Sequence, residues 1–182
     1  MVESGDAVMR PDTGQAAAGP EIWVRGPVTE QEARPPDPAP LAAASARQFS
    51  WVATHGGAGS TTLATVFGGH DAGRNWPRPD QGEPGSVLLV GRTHASGLDA
   101  VSHTLDIFRR GDAPPGLDLD AIVLVADAPG RLPRQLVQRV KVIGSVIDVY
   151  RVPWVPAWRT GDLTGPPPRE SAALARLTGR TP

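Results

Sequence analysis

At 182 residues the chain has room for one domain with tails, and its 20 prolines and 21 glycines place a good part of it outside packed secondary structure. A formal net charge of -1 excludes a protein whose overall field gathers nucleic acid, and the lack of cysteine excludes disulfides, thiolate metal sites and a cysteine nucleophile. Apolar runs are broken by charge or proline well short of the roughly 20 residues that span a bilayer. The acidic start Met1-Val2-Glu3-Ser4-Gly5-Asp6 also lacks a basic-then-apolar leader, so a cytoplasmic protein without a membrane partner is expected.

Residues 1–47 are rich in Pro and Ala, with too few large apolar side chains to offset the entropy of ordering them, and read as a disordered tail. Within this tail, Glu21-Ile22-Trp23-Val24-Arg25-Gly26-Pro27 is a lone apolar cluster, readable as an edge strand or a partner-binding motif. From Gln48 strands and helices alternate. A strand over about 49–54 passes through a glycine-rich turn into a helix from Thr61 to Phe67, which Gly68-Gly69 ends. His70 to Gly85 reads as a turn-rich insertion. Ser86 to Gly91 forms the next strand, and a helix over about 95–109 aligns Leu98, Val101, Leu105 and Phe108 in one apolar stripe.

The run Ala121 to Ala126 is continuously apolar, as in a strand buried on both faces of a parallel sheet. After Asp127-Ala128-Pro129-Gly130 come a helix over about 133–143 and a strand over 148–153. These elements predict an α/β domain over 48–160, a three-layer parallel sheet of about four strands. Residues 161–182 read as a Pro-rich tail with a short helix near 170–177, free either to dock on the domain or to dangle.

The first loop carries the chemistry. In His55-Gly56-Gly57-Ala58-Gly59-Ser60-Thr61-Thr62, three glycines within four residues let backbone N–H groups approach a phosphate, and the helix that follows adds the positive end of its dipole. Ligands of open parallel sheets sit at the carboxyl ends of the strands, where this loop and Asp127 to Gly130 both fall. The loop resembles the deviant phosphate loop of the ParA/MinD family of ATPases, Lys-Gly-Gly-x-Gly-Lys-Thr-Thr, with Gly56, Gly57 and Gly59 matching.

That resemblance implies a P-loop NTPase-like fold, binding of magnesium with ATP or another nucleotide along His55 to Thr62, and a metal held by Thr61 and Asp127. It also locates the departures. His55 stands at the family's signature lysine, and Ser60 at the lysine that reaches the terminal phosphates. The family's further aspartate, expected just after the second strand, meets Val90-Gly91-Arg92-Thr93-His94 instead. Because phosphoryl transfer needs positive charge against the transferred group, the expectation is binding with little or no hydrolysis. Arg92 and Arg131 lie near the same sheet edge as replacement cations, and His55 would add charge only when protonated.

His94 to Leu98, Ala126 to Pro133 and Arg151 to Val155 also look like an uncharacterised actinobacterial family often labelled nucleotide-binding, a likeness that carries no established activity and suggests plasmid or mobile-element maintenance. Two other readings stand beside this one. One is a non-enzymatic adaptor that binds proteins through its tail or through Trp154 and Trp158. The other is an ATPase that borrows a cation from a partner. The basic residues Arg131, Arg134, Arg139, Lys141, Arg151 and Arg159 read as a solvated face before they read as a nucleic-acid contact. The four histidines lack metal-ligand spacing, and Ser60 with His55 does not form the G-x-S-x-G nucleophile elbow.

Overall fold

The computed structural model describes residues 47–180, so the expected N-terminal tail and its Glu21–Pro27 cluster lie outside the described residues. Five parallel strands form one sheet: β1 (Ser50–Ala53), β2 (His70–Asp71), β3 (Ser86–Arg92), β4 (Asp118–Val125) and β5 (Val149–Val152). The helices are α1 (Ser60–Phe67), α2 (Ala95–Arg110), α3 (Arg134–Gly144), α4 (Pro156–Arg159) and α5 (Ala172–Leu177). Short 3-10 turns cover Pro79–Gln81 and Arg169–Ser171.

The strand order is β2-β1-β3-β4-β5. From β1 the chain steps outward to β2, returns to β3 on the other side of β1, and then moves steadily away through β4 and β5. Because parallel crossovers keep one hand, reversing direction moves the helices to the opposite face. Accordingly α1 packs on one face with Leu63, Val66 and Phe67, while α2 and α3 pack on the other with Leu98, Val101, Leu105 and Ile143. The strands feed both layers by alternation. Trp51, Leu88, Val90, Val123 and Val125 face the α1 layer, and Val52, Val87, Leu89, Ile122 and Leu124 face the α2 layer.

Two sequence expectations change. The 70–85 segment is not all turns, because His70–Asp71 pairs with Ser50–Trp51 as the edge strand, and the bonds from Ala72 N–H to Trp51 O and from Ala53 N–H to Gly73 O extend the pairing. Among the described residues the sheet therefore has five strands, where the sequence predicts about four. Two residues between Gly68-Gly69 and Ala72-Gly73 are too short for a periodicity signal, and only their partner strand makes them a strand. The C-terminal segment is also more than a tail: Leu174 and Ala175 of α5 are buried in the α1-side core beside Trp51 and Val152, with Leu163 and Leu177 against it.

Packing is tight where β3 meets α2. A Cβ on Gly91 would collide with the Val101 side chain, and one on Gly97 with the backbone of Arg92, so both positions need glycine for close approach. Among the described residues, no helix is long and apolar enough to cross a membrane.

Candidate functional site

The chain reverses its direction of travel between β1 and β3, and the loops leaving these two strands form the crevice in which doubly wound sheets of this order hold their ligands. Residues 54–59 leave β1 and enter α1 through Gly59, whose left-handed conformation (φ 107°) favours glycine. Gly59 brings no side-chain cap, so the amides that open α1 are not covered from within the helix end. Among the described residues, no hydrogen-bond acceptor pairs with the N–H groups of Ser60, Thr61 or Thr62. They open on a cavity of about 370 Å³ lined by the loop and by Gly73, Arg74 and Arg92.

Arg92 ends β3 beside this loop. Its Nε donates to Gly57 O at 3.0 Å and its Nη1 to Ala126 O at 3.3 Å, which lays the guanidinium between the loops that follow β1 and β4. Burial first, and the charge of Arg159 second, lower the Arg92 pKa, while Asp127 acts in the opposite direction. The main-chain N–H of Arg92 donates to His55 Nε2 at 3.0 Å, and His55 Nδ1 lies 2.9 Å from Gly56 O. With Nε2 engaged by the β3 main chain, His55 acts here as a brace between β1 and β3.

Thr61 turns away from Asp127. Its hydroxyl donates to Asp71 Oδ2 at 2.6 Å, and the Gly73 amide donates to Asp71 Oδ1 at 3.0 Å. Burial pulls the Asp71 carboxyl up, but hydrogen bonds from Thr61, Gly73 and Ser60, together with the charge of His70, outweigh it and hold the pKa below the ordinary carboxylate value. Asp127 follows β4, with β3 between it and the strand that leads to Thr61, a backbone offset of about 10 Å. Its amide donates to the buried Thr93 hydroxyl at 3.1 Å, and its side chain is exposed. The expected magnesium pair, Thr61 with Asp127, is therefore not in contact, and among the described residues no group of three or more His, Cys, Asp or Glu side chains could hold a metal. Ser60 is nearly buried and lies near the Asp71 carboxylate.

Asp71 and its strand had escaped the sequence reading. The second strand in chain order is β2, and Asp71 is its last residue. Of the two replacement cations, Arg92 reaches the loop, whereas Arg131 lines a separate cleft with His94 and Arg151 beyond Asp127. Of the other basic residues, Arg134, Lys141 and Arg151 are exposed, Arg139 pairs with Asp99, and Arg159 stacks over the Trp154 ring with its guanidinium carbon 4.2 Å from the centroid. Trp154 and Trp158 are half-buried, and with Arg159 they wall a cavity of about 210 Å³ next to Gly59.

Residues 48–174 match the model of a family described as a family of unknown function, DUF6668, and the chain belongs to that family. No curated protein and no solved structure matches it.

Proposed function

We propose that this DUF6668 member is a phosphate- or nucleotide-binding accessory protein with little or no hydrolysis, its ligand's phosphate seated on the loop from His55 to Thr62. The observation that carries the reading is the set of free α1 amides facing a cavity with the Arg92 guanidinium at its rim. Backbone donors at a helix start, plus a fixed cation, are what a phosphate needs. Arg92 then takes the part the missing loop lysine plays elsewhere, supplied from β3. The likeness to ParA/MinD loops supports the same reading, and Asp71 after the second strand is where that likeness would seek its further aspartate.

Weak turnover follows from the same residues. Ser60 offers no cation, and the Thr61 hydroxyl is engaged by Asp71. Magnesium, if it accompanies a nucleotide, would be met by Thr61 and Asp71 before Asp127. A nucleotide-responsive role in plasmid or mobile-element maintenance is the process this reading suggests.

Gly56 provides the test. It has an ordinary φ, and nothing lies within 4 Å of a Cβ built there, so Gly56→Leu folds but puts a side chain over the loop. Calorimetric titration of the full chain with inorganic phosphate and with adenosine diphosphate should show binding that Gly56→Leu abolishes. Equal heats from both proteins, or none from either, would reject the reading.

A further inference from the structure

The loop cavity has a neighbour. A second cavity, of about 210 Å³, shares Gly59, Thr62 and Arg92 with the first and extends away from the loop toward β5 and α4. Leu63 and Val125 are among its apolar lining residues, and Trp154, Trp158 and Arg159 wall it. It falls below the roughly 300 Å³ of a pocket for a whole drug-sized ligand, which makes it a chamber for a ring attached to something held next door. The chemistry differs between the chambers: backbone amides line one, and indole rings line the other.

The charges are arranged along the same line. At the β2 end of the loop stands Asp71, held below the ordinary carboxylate range by its hydrogen bonds against the pull of burial. At the other end stand Arg92 and Arg159, close enough to repel, and neither has a carboxylate within ion-pair distance among the described residues. An anion on the loop is drawn toward the arginines and the tryptophans. A chain of phosphates running the other way along the loop would meet the Asp71 carboxylate.

We infer that the two chambers together take a phosphate monoester bearing a planar aromatic ring, a mononucleotide, with its phosphate on the His55–Thr62 loop and its ring against Trp154 and Trp158. This rests on the loop binding phosphate as proposed above. Arg159, already stacked on Trp154, continues the flat wall and adds charge near the ester. Two ring chemistries satisfy the chamber, a nucleobase and a flavin, and they share the phosphate and the stacking face.

The full chain is titrated with adenosine monophosphate, flavin mononucleotide, adenosine triphosphate with magnesium, ribose 5-phosphate and inorganic phosphate. One or both of the mononucleotides should bind at least about tenfold tighter than ribose 5-phosphate, in the range expected of a stacked base, and at least as tightly as the triphosphate. Which of the two binds tighter identifies the ring. Trp154→Ala should erase the advantage over ribose 5-phosphate while leaving inorganic phosphate unchanged, and Arg159→Gln, which leaves the core side of the cavity intact, should reduce it. Equal affinity for ribose 5-phosphate and both mononucleotides would overturn the ring chamber while leaving the loop reading standing, and a clear preference for the triphosphate would overturn the monoester assignment. Loss of all phosphate binding in the wild type would remove the loop reading and this inference together.

Discussion

The Thr61 hydroxyl donates to Asp71 at 2.6 Å, tying the first turn of α1 to the end of the edge strand β2. The bond uses the one side-chain oxygen that a phosphate-loop threonine would give to a metal, and it keeps a carboxylate charged at that end of the loop. β2, the edge strand of the sheet among the described residues, gains an anchor from it.

Asp71→Asn should destabilise the fold by about 1 kcal/mol at neutral pH, the scale of a partly exposed hydrogen bond to a charged group. The folded carboxyl titrates below its unfolded value of about 3.9. Its contribution is therefore present above that pH and fades as pH falls through the folded-state value. Denaturant melts at pH 7 and near pH 3 should show the gap between wild type and variant closing in acid. A gap of the same size at both would contradict the assignment.

Arg92→Ala should weaken phosphate binding by roughly tenfold or more, as expected for losing a charged hydrogen-bond donor. Arg92→Lys should restore only part of it, since a lysine cannot donate to Gly57 O and Ala126 O with one planar fork and still face the ligand. Calorimetry on both variants checks the order wild type, lysine, alanine.

Ser60→Lys should not create an ATPase. Ser60 is 6% exposed and lies near the Asp71 carboxylate, so the new ammonium would meet that carboxylate before it reached over the loop. A phosphate-release assay should stay at the rate measured without protein. Turnover above it would show that the loop lacks only a cation.

Leu174→Ala should cost about 2–4 kcal/mol and lower the melting temperature by on the order of 10 °C, because Leu174 is wholly buried in the core shared with Trp51 and Val152. An unchanged melt would mean that α5 does not hold the sheet.

Much of this was legible in the residues. The apolar run of β4, the α2 stripe and the glycine turn between β1 and α1 all follow from local periodicity and backbone freedom, which a chain carries wherever it folds. Asp71 was not legible, because a two-residue strand has no period and its acid looks like any polar residue of a loop. The tryptophan segment was visible as two indoles four apart, but not as the wall of a cavity beside Gly59.

The sequence by itself determined the parallel α/β class, the glycine-rich loop between the first strand and helix and the absence of a lysine in it, since each is written in residue types at fixed local spacing. Only the tertiary structure decided that β2 lies beside β1 and that Thr61 turns to Asp71 and not to Asp127. It also decided that Arg92 bridges two loops and that Trp154, Trp158 and Arg159 converge near the first helix. These depend on strand order and crossover direction, which bring together residues tens of positions apart, and no local pattern records them.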